Sequence, residues 1–335
     1  MNIPPAPVHS RPPLHGWIIL DKPVGLGSTR AVGAVKRILR QAGFGKVKVG
    51  HGGTLDPLAS GVLPIAIGEA TKLCGRMLDA SKGYDFTIRF GEQTSTLDAE
   101  GEVVATSEAR PALAEIEAVL PRFTGEIEQV PPAFSALKVG GKRAYDLARA
   151  GKEVELKSRK ISIDQLSVWS ERSRGPTSSG GEKVGLDYPR QGPSTSLGTN
   201  GLSEITLSTT VSKGTYIRSL ARDIALALGT VGHVTLLRRT QAGRFSLDQA
   251  ISLDFLEEAA KGQRLTETVI PLEAGLDDIP ALPVAPGQAA LLRHGQQLAG
   301  FPVAPGLYLA TDAKRPVALV EASAGGLKVV RGFNI

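Results

Sequence analysis

VGHGGTLDPLASG, residues 49–61, sets four glycines, one histidine and one aspartate within thirteen positions. Gly50, Gly52 and Gly53 admit backbone torsions closed to other residues and let a ligand come close to the main chain. Asp56-Pro57 has a purely structural reading, with Asp as helix N-cap and Pro at the first helical position. The functional reading is a carboxylate presented by a glycine-rich loop. No G-x-x-x-x-G-K-[ST] follows, so a nucleotide-triphosphate site is rejected.

Outward from this loop, Trp17 to Leu20 is a short apolar run ending at Asp21-Lys22-Pro23, a strand leaving into a turn. Ser28 or Thr29 then caps a helix with Val32, Val35, Ile38 and Leu39 on one face and Lys36, Arg37 and Arg40 toward the other, ended by Gly43. After the loop, Val62 to Ile67 reads as a buried strand and Glu69 to Leu78 as a helix. Tyr84 opens the alternating strand YDFTIRF, TSTLDAEG at 94–101 is a polar connection, and Pro111 to Leu120 is an amphipathic helix. Residues 131–160 pair a Gly-Gly turn with a short helix and carry eight Lys/Arg against three acids. They read as a protruding arm able to clamp RNA, or as an ordinary basic hairpin.

Residues 172–203 are rich in Ser, Gly, Pro and Thr, and read as a flexible insertion between two strands of one domain. In SKGTYIRSLARDIALALG, 212–229, a strand ends at Lys213-Gly214 and a helix follows, placing Tyr216 and Arg218 at the turn. A cation in the first turn opposes the helix dipole, which favours a functional role for Arg218. Val234 to Phe245 reads as a strand with two arginines. Beyond Leu282, a helix over 286–293 and strands over 307–311, 316–322 and 327–333 suit a small β-barrel module.

Charge is distributed unevenly. Seven Lys/Arg and no acid lie between Lys22 and Leu55, and Lys213, Arg218, Arg222, Arg238, Arg239 and Arg244 face only Asp223 in a second stretch. Two such clusters, each beside glycine-rich sequence, point to a phosphate backbone. At 335 residues the chain has room for two domains. No run of about 18 apolar residues occurs, so no membrane span is expected. The Pro-rich residues 1–15 read as a disordered lead-in rather than a secretory signal. The single cysteine, Cys74, excludes an intrachain disulfide and suggests a reducing compartment. Five scattered histidines argue against a structural zinc site.

GHGGTLDPLASGVLPIAIGEATK, together with GWIILDKPVGLGST, Lys82-Gly83-Tyr84, VPPAFSALKVGGKRAYDLAR, SKGTYIRSLARDI and HVTLLRRTQAG, resembles the bacterial TruB-type tRNA pseudouridine-55 synthases. The likeness spans most of residues 16–247, less the insertion. It implies an α+β fold, a mixed and largely antiparallel sheet flanked by helices, with an RNA-binding thumb near 131–160. A catalytic domain over 16–278 and a PUA-like β-barrel over 279–335 follow.

The resemblance further implies that Asp56 is the catalytic aspartate. Tyr84 would stack on the target base, Arg218 would pair with Asp56, and Tyr216 and Leu237 would line the uracil pocket. His51 would help extrude the nucleotide, and Lys22 with Pro23 match a largely structural motif. The implied reaction is isomerisation of uridine 55 in the tRNA T-loop by a cytoplasmic monomer, with no cofactor, metal, membrane or obligatory protein partner. Two other readings stay open: an RNA-folding protein on the same scaffold, and a related synthase acting on another RNA, such as the guide-dependent H/ACA type. The chain departs from the family pattern at Gly52, where threonine is usual, which predicts a looser loop around His51. Ser95 stands where aspartate is frequent.

Overall fold

The computed structural model describes residues 11–135, 137–152, 154, 156–169, 197–198, 201–276 and 278–335. Its first strand, β1 (Gly16–Lys22), is buried along its whole length. Trp17 and Ile19 enter one core while Ile18 and Leu20 enter another on the opposite side of the strand. Covering both faces is why the sequence runs continuously apolar here instead of alternating.

Around β1 a nine-stranded sheet forms among the described residues. Its members are β2 (Val49–His51), β3 (Ser60–Ile67), β4 (Lys82–Phe90), β7 (Gly125–Gln129), β10 (Arg159–Val168), β13 (Glu204–Val211), β14 (Gly232–Ala242) and β15 (Phe245–Ser246). Short pairs decorate it: β5 (Glu92–Thr94) with β6 (Val103–Thr106), β8 (Lys138–Val139) with β9 (Lys142–Arg143), and β11 (Leu197–Gly198) with β12 (Gly201–Leu202). The order is β1-β3-β14-β4-β13-β10-β7, with β2 on β3 and β15 on β14. Every pairing in this sheet is antiparallel except β3 with β14, which pairs parallel only at Arg238↔Ser60 and Arg239↔Gly61. That short seam joins the two halves of the sheet, and the loop containing Asp56 enters the sheet there.

Helices cover the sheet by their apolar stripes. α1 (Ser28–Gln41) and α6 (Leu253–Lys261) bury Val35, Ile38 and Leu256 with Ile18 and Leu20. α3 (Leu113–Val119) and α5 (Ile217–Ala227) bury Ile116, Leu220 and Ile224 against Phe86 and Ile88. α2 (Cys74–Asp79) follows a 3-10 turn over Gly68–Leu73, so the expected single helix from Glu69 is split. In the arm over 131–160, β8 and β9 turn at Gly140-Gly141, both at positive φ, and α4 (Ala144–Arg149) follows.

The C-terminal stretch forms β16 (Ala281–Pro283), β17 (Gly306–Asp312), β18 (Arg315–Ser323) and β19 (Gly326–Gly332), with α7 (Pro286–Arg293) packed on them. Pairing runs β16-β17-β18-β19, and among the described residues none joins β16 to β19. The small β-module is therefore an open sheet rather than a closed barrel. Leu309, Leu319 and Phe333 share a core with Trp17 and Val62, which docks this sheet on the larger one.

Two expectations about irregular stretches meet the structure only in part. Residues 1–10 lie outside the described residues, but from Arg11 the lead-in is held. Arg11 lies 5.3 Å over the Phe44 ring, and His15 Nδ1 accepts the Glu69 N–H at 3.1 Å. Most of the 172–203 insertion also lies outside them. Its last residues return through β12, where the Leu202 N–H donates to the Pro111 carbonyl at 2.9 Å.

Candidate active site

No helix starts at Pro57, so the local N-cap reading of Asp56 fails; residues 52–59 form an irregular loop. Four neighbours hold it. Ser28 does not cap α1, whose N-cap is Gly27 with no side-chain bond. Its Oγ instead accepts the Leu55 N–H and donates to the Leu55 carbonyl, both at 2.8 Å. Arg239, fully buried on β14, donates to the carbonyls of Val62 at 2.7 Å, Gly53 at 3.2 Å and Thr54 at 3.3 Å. Buried Lys22 donates to the carbonyls of Leu26 at 2.7 Å, Pro23 at 2.9 Å and Pro57 at 3.3 Å. The Gly25 N–H reaches the same Pro57 carbonyl at 2.8 Å. Where the loop joins β3, Gly61 has φ +98 and a β-carbon there would collide with the Arg239 carbonyl. The seam needs a residue without a side chain at that point.

Asp56 and Arg218, 162 positions apart in sequence, meet at 2.8 Å (Oδ2 to Nη2). The arginine is 7% exposed and the aspartate 38%, so the pair is anchored on the protein side and open on the carboxylate side. Arg218 is held further by the carbonyls of Thr96 at 2.8 Å and Phe134 at 3.1 Å, and by Asp98 Oδ2 at 3.3 Å. Asp98 is itself buried, its Oδ1 accepting from the Thr96 hydroxyl and from the Glu100 N–H at 3.1 Å. The two carboxylates explain how a cation is tolerated in the first turn of α5, against the dipole. Asp98 lies in the stretch read as a polar connection; an acid in a polar turn carries no local sign that it will be buried.

The apolar wall of the site comes from the sheet. Leu55, Ala59 and Leu237 are buried in one cluster with Phe86, and Tyr84 packs against it half-buried. Tyr84 on β4 is in register with Arg239 on β14, which brings the aromatic ring beside the strand that grips the Asp56 loop. Tyr216 is the N-cap of α5, and its main chain exchanges two hydrogen bonds with the Gln129 amide at 2.8 and 3.2 Å. The Arg159 guanidinium lies 4.8 Å over the Tyr216 ring. Tyr216 is thus tied to the base of the 131–160 arm.

His51 ends β2 and is half-buried. Its Nδ1 accepts the Gly53 N–H at 3.3 Å. Burial first, and the nearby Arg239 charge second, push its pKa below the ordinary value. The lowered pKa favours the neutral ring at pH 7, and with Nδ1 accepting, its proton sits on Nε2. The expected loosening at Gly52 is not found. Its N–H donates to the Pro64 carbonyl at 2.8 Å, and it is buried against Met77.

Beyond Asp98, Arg239 and Ser28, the buried Asp21–Arg238 pair was not legible in the sequence; it closes bidentately at 2.9 and 3.1 Å and staples β1 to β14. A doubled arginine on a strand resembles a surface feature until partners from another segment are known. Among the described residues no cluster of three or more His, Cys, Asp or Glu side chains could hold a metal ion, and no helix is long and apolar enough to cross a membrane. Chemically the site offers one open carboxylate, a fixed guanidinium, a flanking aromatic and a neutral histidine.

Comparison with known proteins matches the profile of the TruB family pseudouridylate synthase N-terminal domain over residues 36–179. The profile of the tRNA pseudouridylate synthase B C-terminal domain matches residues 218–277. A tRNA pseudouridine synthase B of Novosphingobium aromaticivorans is 58% identical, over 96% of this chain and 97% of the relative. Those of Zymomonas mobilis and Caulobacter vibrioides are 50% and 45% identical, over 100% and 96% of both chains. Among solved structures, a Cbf5-Nop10-Gar1 complex superposes with a TM-score of 0.64 at 26% identity, covering 95% of this chain and 84% of that one. An H/ACA ribonucleoprotein bound to substrate RNA gives 0.67 at 24% identity, covering 100% and 92%.

Proposed function

The chain belongs to the TruB family of pseudouridylate synthases and is a tRNA pseudouridine synthase, and we propose that Asp56 carries its chemistry on uridine 55 of the T-loop. The observation that carries this reading is the Asp56–Arg218 pair: a half-open carboxylate held at 2.8 Å by a guanidinium that is itself locked by Asp98 and two carbonyls.

The reaction is an isomerisation. The N1–C1′ bond of the uridine breaks, the base turns, a C5–C1′ bond forms, the C5 proton leaves and N1 gains a proton. Atoms and electrons balance without any co-reactant. What the protein must supply is an extruded nucleotide, a nucleophilic or charge-stabilising carboxylate at the sugar–base junction, and a surface that keeps hold of the detached base. Extrusion costs on the order of a few kcal/mol in lost stacking and pairing. His51, half-buried beside the Asp56 loop, is assigned to hydrogen-bonding the opened RNA loop through Nε2.

Asp56 then meets the reacting centre, Tyr84 stacks on the base, and Leu237 and Tyr216 bound the pocket. Lys22 holds the loop from beneath through Pro57. Residues 16–278 serve as the catalytic domain, 131–160 as a thumb and 279–335 as an RNA-binding appendage, in a protein working as a cytoplasmic monomer on the T-arm.

The test is to incubate the protein with an unmodified tRNA transcript and map pseudouridine at single-nucleotide resolution. Product at position 55 is expected, with none for Asp56→Asn although that variant still binds tRNA. Product outside the T-loop, or retained turnover in Asp56→Asn, would overturn the substrate or the role of Asp56 respectively.

A further inference from the structure

The chain leaves the active site at Ser28, whose hydroxyl grips Leu55, and returns to it at His51. The segment between contains no acid. Its helix, α1, has 14 residues, so it extends about 21 Å at 1.5 Å per residue. The inner face, with Ala31, Val35, Ile38 and Leu39, is buried. On the outer face Arg30, Lys36, Arg37 and Arg40 are exposed, and Lys46 and Lys48 continue the run in the connection to β2. Among the described residues one weak counter-charge touches it: Glu257 of α6 lies 3.8 Å from Arg37, with the side chains 44% and 55% exposed, so solvent screens the pair heavily.

Gly33 sits in the middle of this face. On a helical surface its neighbours at three and four positions are Arg30, Lys36 and Arg37. It is exposed, its φ is not positive, and nothing lies within 4 Å of where a β-carbon would stand. Glycine inside a helix is less stable than alanine, and among the described residues no contact calls for it here. A field of cations with a bare main-chain patch at its centre suits a polyanion that must come close to the helix backbone. The segment's lone aromatic, Phe44, is buried beneath Arg11, so the face has no ring on which unpaired bases could stack. That chemistry selects a phosphate backbone rather than bases.

We propose that the outer face of α1, from Arg30 through Arg40 and centred on Gly33, binds the phosphate backbone of the RNA double helix that extends beyond the target stem-loop. The inference rests on the chain acting on tRNA, and supplies that reading with a second binding surface. Arg30 and Arg40 stand ten residues apart, about 15 Å along the helix, roughly half a turn of a nucleic-acid duplex.

The experiment compares the wild type with the triple variant Lys36→Gln, Arg37→Gln, Arg40→Gln on two substrates: a minimal T-arm stem-loop, and full tRNA. All three side chains are exposed, so folding is expected to survive, checked by the thermal midpoint. Expected results are unchanged affinity and turnover on the stem-loop, and roughly ten- to hundredfold weaker binding of tRNA. The log–log salt slope on tRNA should be shallower by about 0.7 to 0.9 for each phosphate that the variant no longer neutralises. Equal affinities on tRNA, or an equal loss on both substrates, would overturn the proposal. Absence of stem-loop turnover in the wild type would instead strike at the proposed function. Gly33→Ala gives an independent reading: it should raise the thermal midpoint while weakening tRNA binding and sparing the stem-loop. A stabilised variant with full tRNA affinity would show that no backbone approaches Gly33.

Discussion

Gly52 and Met77 are packed so closely that a β-carbon at position 52 would lie 2.6 Å from the Met77 Cβ and 3.0 Å from its Cγ. A methionine on α2 fills the space beside Gly52, where the sequence resemblance leads to an expected threonine. Gly52→Thr should destabilise the fold by about 1 to 3 kcal/mol through overpacking, and slow turnover by displacing His51. Met77→Gly, which removes the Cβ as well as the Cγ, should restore part of both losses when combined with it. Urea midpoints of the two single variants and the double variant check this, and simple additivity of the two losses would refute the pairing.

Arg239 saturates three main-chain carbonyls around the Asp56 loop with one buried side chain. Arg239→Met leaves those carbonyls without their donor, at about 1 to 3 kcal/mol for a buried group left unmade. The variant should therefore lose on the order of 3 kcal/mol of stability and most of its turnover. It also removes one of the two causes that depress the His51 pKa, the smaller one after burial. The His51 pKa, followed by NMR, should move upward; an unmoved His51 would show that the Arg239 charge does not reach it.

Asp98 reaches the substrate only through Arg218, so it is a positioning residue. Asp98→Asn keeps the shape but removes the charge that balances the guanidinium on its protein side. Losing the charge of this buried ion pair, about 1.5 to 3 kcal/mol, corresponds to a fall in kcat of roughly ten- to hundredfold. The Kd for tRNA should be unchanged, because Asp98 is buried away from the RNA. A change confined to Kd would contradict the assignment.

Burial lowers the Lys22 pKa to about 8 from 10.5, partly opposed by Asp56 and reinforced by Arg239. Below pH 8 both the folded and unfolded chains carry the proton. Between about 8 and 10.5 only the unfolded chain does, so this lysine makes stability rise with pH across that window. Wild type should gain on Lys22→Met as pH climbs from 8 to 10.5, measured by urea unfolding at each pH. Turnover should fall across pH 8 as the cation near Asp56 is lost, and that limb should be absent from Lys22→Met. A stability difference that stays flat over the window would refute the titration.

Much of this protein is decided by local sequence. Trp17–Leu20, Val62–Ile67 and the alternating YDFTIRF form strands because their apolar patterns have one way to be buried. The helix over 286–293 and the three strands after it fall within a residue or two of where periodicity and turn residues put them. Arg218 stands out from its own surroundings as a cation set against a helix dipole, whereas Asp56 reads locally as a helix N-cap and gains its catalytic role only from the family resemblance.

Which residues surround that pair was decided only by the tertiary structure. The parallel seam between β3 and β14 brings Arg239 under a loop it follows by about 180 positions, and the turn after β5 delivers Asp98 to the far side of Arg218. The same closure turns Ser28 from a helix cap into a clamp on Leu55, and makes Asp56 an open carboxylate instead of an N-cap. Local propensity ranks what a segment does alone in water. A buried ion pair or a carbonyl gripped by a distant arginine gains its energy from desolvation and partners that exist only once the sheet has closed.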